Sequence, residues 1–129
     1  MAKSRRVRPT DAELEILRVL WRRGPSTVRD VHAELSAARE MGYTTVLKLM
    51  QIMTEKGLVR RDEGSRAHVY TPASAQSETQ AQLLGDLLDR AFDGSATNLV
   101  MQVLSSKRAT AEELEQIRAV LDELEGDER

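Results

Sequence analysis

The sequence has no cysteine, which excludes disulfides, thiolate metal sites and cysteine nucleophiles together. Aromatic side chains are almost as scarce. Trp21, Tyr43, Tyr70 and Phe92 are the full set in 129 residues, leaving a core of aliphatic and methionine side chains. No apolar run approaches the roughly 20 residues that cross a bilayer, and the basic N-terminus leads into a polar, amphipathic segment. A soluble, cytoplasmic protein without membrane insertion is expected. There is no Gly-rich phosphate loop, no nucleophile elbow and no pocket-forming carboxylate pair, so neither an enzyme nor a cofactor is expected. His32 and His68 fall on different elements and lack a cysteine or a close carboxylate partner in sequence, so no metal site is expected.

What is present is globular: 40% apolar and 31% charged residues, in a length that suits one ordinary domain or two small ones. The net charge of -2 hides an asymmetry. Residues 1–72 hold fourteen Lys and Arg against nine Asp and Glu, whereas residues 73–129 hold five against twelve. A basic half joined to an acidic half implies that only the first meets a polyanion.

Thr10-Asp11-Ala12-Glu13 has the spacing of a capping box, in which hydroxyl and carboxylate satisfy the orphan amides of a helix start. Leu14, Leu17, Leu20 and Trp21 follow at helical spacing, and Gly24-Pro25-Ser26 ends the segment. Thr27 opens a second helix with Val28, Val31 and Leu35 on one stripe. A third is predicted over 44–56, with Val46, Leu49, Met50 and Met53 inward, Thr44 or Thr45 as its N-cap and Gly57 as its left-handed C-cap. Strands are predicted around Leu58-Val59-Arg60-Arg61 and His68-Val69-Tyr70-Thr71, joined by a polar turn and stopped by Pro72. Three helices and then a hairpin is the order of a winged helix-turn-helix. Residues 73–129 show no strand pattern. They predict helices over 77–92 and 96–104, and a last one opened by the capping box Thr110-Ala111-Glu112-Glu113.

The fold class is therefore mostly α: a winged helix-turn-helix in 1–72 and a three-helix domain in 73–129. In a helix-turn-helix the start of the last helix enters the major groove. Here that start presents Tyr43, Thr44, Thr45 and, one turn on, Lys48. Threonine can hydrogen-bond several bases or offer its methyl to thymine, and lysine reaches guanine or a phosphate. Arg60 before the turn and Arg66 at its tip would lie beside the DNA backbone or minor groove, and the basic N-terminus, including Arg5 and Arg6, would form an arm on the phosphates. In the second half, Leu83, Leu84, Leu87, Leu88 and Phe92, then Leu99, Val100, Val103 and Leu104, then Leu114, Ile117, Leu121 and Leu124 form leucine-rich faces. Three short helices cannot cover these alone, so a homodimer interface is expected.

The runs Thr10-Asp11-Ala12-Glu13-Leu14-Glu15-Ile16-Leu17-Arg18-Val19-Leu20-Trp21, Tyr43-Thr44-Thr45-Val46, Glu55-Lys56-Gly57-Leu58-Val59 and Val69-Tyr70-Thr71-Pro72 resemble the BlaI/MecI/CopY family of bacterial repressors, and the similarity extends over nearly the whole chain. The resemblance implies a winged-helix domain, a three-helix dimerisation domain and a homodimer on a dyad-symmetric operator of double-stranded DNA. It places base contacts on Thr44, Thr45 and Lys48. The C-terminal cysteine pair of copper-responsive members is missing, which speaks against copper sensing. The Asn-Phe bond cleaved in β-lactam-responsive members aligns with Gln102-Val103, so release by a membrane-bound sensor protease is implied without its usual cleavage sequence. A competing reading is a winged helix used as a protein-interaction module without DNA affinity.

Overall fold

The computed structural model describes residues 8–64 and 66–127; Arg5 and Arg6 lie outside them. Helix α1 (Asp11–Arg23) starts from Thr10, whose hydroxyl accepts the Glu13 N–H at 3.2 Å while the Glu13 carboxylate accepts the Thr10 N–H at 2.9 Å. Helix α2 (Val28–Ala38) opens on the same device, with Thr27 and Asp30 in the two roles. Helix α3 (Tyr43–Lys56) does not. Its N-cap is Gly42 and no side chain caps it, so the expected threonine cap is corrected: Thr44 and Thr45 already lie inside the first turn. Gly57 ends α3 as foreseen, at φ 82°, where a Cβ would clash with the neighbouring carbonyl.

Strands β1 (Val59–Asp62) and β2 (Val69–Pro72) pair antiparallel, Val59 opposite Pro72 and Asp62 opposite Val69. The strand after the turn begins at Val69, so His68 is a loop residue and not the strand residue expected. Ser26 adds a third rung on the other edge of β2, exchanging two backbone bonds with Tyr70 at 3.1 and 2.8 Å. The hairpin is thereby fastened to the turn between α1 and α2.

The core of this part is aliphatic and methionine-based around one aromatic ring. Ile16, Leu17, Val19, Leu20, Val31, Val46, Met50, Met53, Val59 and Tyr70 are almost wholly buried. On α1 the inward arc is displaced from the predicted Leu14–Trp21 stripe, because Glu13 and Ile16 occupy it and Leu14 and Trp21 stay half-buried. The Trp21 indole N–H donates to the Ser74 carbonyl at 3.0 Å, tying the segment after the hairpin back to α1.

Helix α4 (Gln76–Phe92) begins with Thr79 buried. The chain divides into compact units of residues 1–83 and 84–129, the division falling inside this helix. The second unit contains the rest of α4, α5 (Ala96–Ser105, capped by Ser95) and α6 (Ala111–Asp127). Thr110 and Glu113 form the predicted box at the start of α6. Neither α5 nor α6 has a buried residue.

Glu13 joins two ends of the first unit. It is 2% exposed, and both carboxylate oxygens accept from the Lys56 ammonium, at 3.0 and 2.9 Å. Burial pushes its pKa up, but the Thr10 N–H and the hydrogen bond and charge of Lys56 outweigh that and hold it below the ordinary glutamate value of 4.5. A depressed carboxylate contributes stability that is complete above the unfolded value and is lost as pH falls through the folded one. Lys56→Met strands the buried charge and should cost about 1–3 kcal/mol at neutral pH. That cost should shrink toward pH 4, where the unpaired Glu13 takes up a proton. Urea unfolding followed by the single Trp21 measures both; an equal cost at the two pH values contradicts the assignment.

Candidate nucleic-acid interface

The side chains of α3 divide by helical phase. Val46, Met50 and Met53 point inward, and Thr44, Thr45 and Lys48 form an exposed patch on the opposite side. Gln51 extends this patch by one turn and is also exposed. It was not singled out from sequence, although the spacing Thr44, Lys48, Gln51 contains it, and a glutamine can read adenine by two hydrogen bonds. Tyr43 stands at the edge of the patch, 47% exposed, its ring T-shaped against the His32 imidazole at a centroid distance of 5.7 Å. His32 in turn is bonded to the Ser36 hydroxyl at 3.2 Å.

Arg22 pairs with Glu34 at 3.0 Å, Arg23 with Asp30 and Glu34, Arg39 with Glu15 at 3.0 Å, and Lys56 with Glu13. Arg61, opposite Tyr70 in the hairpin register, pairs with Glu63 at 2.6 Å. Among the described residues of the first unit, Lys48, Arg29, Arg60, Arg66 and Arg18 have no ion-pair partner. The start of α3 adds to them. Without a capping side chain or an acidic residue in its first turn, its positive end is unneutralised, whereas α1, α2 and α6 each begin with acidic side chains.

Tyr43 and Arg66 are brought together across an open cleft of about 780 Å³ between the starts of α2 and α3 and the hairpin loop. Thr44, Thr45 and Lys48 do not line it, and neither does Arg60, which lies opposite Thr71 on the hairpin. Arg29 and His68 do. Arg29 escaped the sequence reading because a lone arginine on an amphipathic helix has no distinguishing pattern.

Along α4, α5 and α6 the predicted apolar residues separate into two groups. Leu83, Leu88, Phe92, Leu99 and Leu114 are half-buried in the protomer. Leu84, Leu87, Val100, Val103, Leu104, Ile117, Leu121 and Leu124 are 36–57% exposed. Met101 and Val120, which the sequence reading passed over, are exposed as well, at 58% and 52%. Gln102 and Val103 lie in α5, both exposed. Among the described residues no helix is long and apolar enough to cross a membrane.

Three helices, a hairpin pinned by Ser26 and an exposed polar patch on the third helix define a winged-helix transcriptional regulator. Residues 9–123 match the penicillinase repressor family, and the chain belongs to that family. It is 38% identical over 116 residues to the transcriptional regulator BlaI of Mycobacterium tuberculosis, covering 89% of this chain and 83% of that protein. To the penicillinase repressor of Bacillus licheniformis it is 25% identical over 114 residues, covering 88% and 89%. Among solved structures, the monomeric form of Bacillus licheniformis BlaI in complex with the blaP half-operator matches with a TM-score of 0.50 and 28% identity, over 56% of this chain and 88% of that one. The chain is a transcriptional repressor, not an enzyme.

The His32–Tyr43 contact fixes the ring at the edge of the exposed patch. His32→Ala should shift the Tyr43 ring resonances and cost roughly 0.5 kcal/mol, and His32→Phe should restore the contact. Unchanged Tyr43 resonances in His32→Ala would mean that the ring is held by something else.

Proposed function

We propose that the chain represses transcription as a homodimer on a dyad-symmetric operator, with the α3 of each protomer in the major groove. The observation that carries this is the exposed Thr44, Thr45 and Lys48 patch at an unneutralised helix start. The half-operator complex of the Bacillus licheniformis relative supports the same use of the fold. Thr44, Thr45 and Lys48 read base edges, Tyr43 flanks them, and Arg66 and Arg60 meet the backbone. Residues 1–72 do the reading, and 73–129 hold the pair together.

The dimer follows from the exposed apolar faces of α4–α6. A leucine transferred fully out of water contributes roughly 1.5–3 kcal/mol, and these side chains stand about half exposed, so several together are needed to hold two copies. Cleavage between Gln102 and Val103 by a membrane-bound sensor protease would detach α6, with Leu114, Ile117, Leu121 and Leu124, and so dissolve the pair.

Two measurements test the reading. Affinity for a duplex from the chain's own promoter should fall steeply as salt rises, because neutralised phosphates release counterions. Lys48→Ala should weaken that specific binding by about 1–3 kcal/mol. Salt-independent affinity, or full affinity without Lys48, counts against it. Independently, Leu121→Asp should shift the sedimenting species from dimer to monomer while leaving Trp21 fluorescence unchanged. A wild-type monomer at tens of micromolar would remove the dimer from the account.

A further inference from the structure

The cleft beside α3 has a composition of its own. Val28, Leu47, Ala67 and Tyr70 supply apolar surface, and Arg29 and Arg66 bring cations from two different elements, α2 and the hairpin loop. The acid next to Arg29 makes its hydrogen bond and its ion pair with other residues. The Asp30 carboxylate accepts the Thr27 N–H at 3.0 Å and lies 3.6 Å from Arg23, and the Thr27 N–H foremost, then the charges of Arg23 and Arg29, hold its pKa below the ordinary aspartate value. Arg29 is exposed and forms no ion pair among the described residues.

Apolar surface between two cations is the complement of one stretch of sugar–phosphate backbone, in which an apolar deoxyribose face lies between two successive phosphates. We propose that this cleft seats the DNA strand running between the recognition helix and the wing, with Arg29 as a phosphate contact facing Arg66 across it. This rests on the operator-binding reading and adds to it a contact that fixes register without reading sequence. Tyr43 and Leu47 connect the two tasks, because they line the cleft from the same helix that presents Thr44 and Lys48. A strand seated there would fix how far α3 enters the groove.

Arg29→Ala in the full-length chain tests the seat. Its affinity should fall roughly five- to tenfold near 0.1 M salt, and the slope of log affinity against log salt should become shallower by about one. The loss should be the same on operator and on unrelated duplex, whereas Lys48→Ala should lose affinity mainly on operator. A scan of single methylphosphonate substitutions across the half-site should find a phosphate whose neutralisation weakens the wild type but not Arg29→Ala. Unchanged affinity and slope in Arg29→Ala, or a loss confined to operator, overturns the backbone seat while leaving operator binding intact. Failure of the wild type to bind any duplex overturns the reading on which it rests.

Discussion

The first unit depends on one buried carboxylate. Glu13 satisfies the opening amide of α1 through the Thr10 box and accepts the ammonium at the end of α3, so it couples the start of the first helix to the far end of the third. A carboxylate 2% exposed is tolerable only with such partners, and together they hold its charge in place. Because α3 presents the polar patch, this pair and the Met50 and Met53 contacts beneath it set the orientation of the surface that meets DNA. The hairpin has its own anchor in the Ser26–Tyr70 bridge, so helix and wing are fixed against one α1–α2 frame.

The second constraint runs the opposite way. The first unit buries its apolar side chains within itself, whereas α5 and α6 bury none. Each helix of the latter pair is well formed, with a serine cap on α5 and a capping box on α6, so the exposed faces are not a failure of local structure. A chain that folds its helices and leaves their leucines half in water is suited to association. In the proposed repressor, the reading surface is complete in one copy and the spacing between reading surfaces needs two.

Local features were legible in the sequence. The capping boxes at Thr10 and Thr110, the helix start at Thr27, the glycine at 57 and the polar turn of the hairpin are written in three to six adjacent residues, and periodicity placed Val46, Met50 and Met53 inward. Contacts between distant residues were not. Nothing local pairs Glu13 with Lys56, Trp21 with Ser74 or Ser26 with Tyr70, and the first unit runs past Pro72 into α4. The threonine cap on α3 was misjudged because Gly42 fills an N-cap nearly as well and leaves no hydroxyl signature. Of the interface, the patch on α3 was visible as a helical row; the cleft was not, since Arg29 and Arg66 meet only through the tertiary fold.

The central claim is that paired copies act as one reader. Comparing the affinity of the full chain for a complete dyad-symmetric operator with that for a single half-site, at one salt concentration, tests it most directly. Two linked winged helices predict binding to the dyad tighter by about a hundredfold or more, since the second contact is made at high effective concentration. Equal affinity per half-site would mean that the protomers bind independently, and would contradict the account.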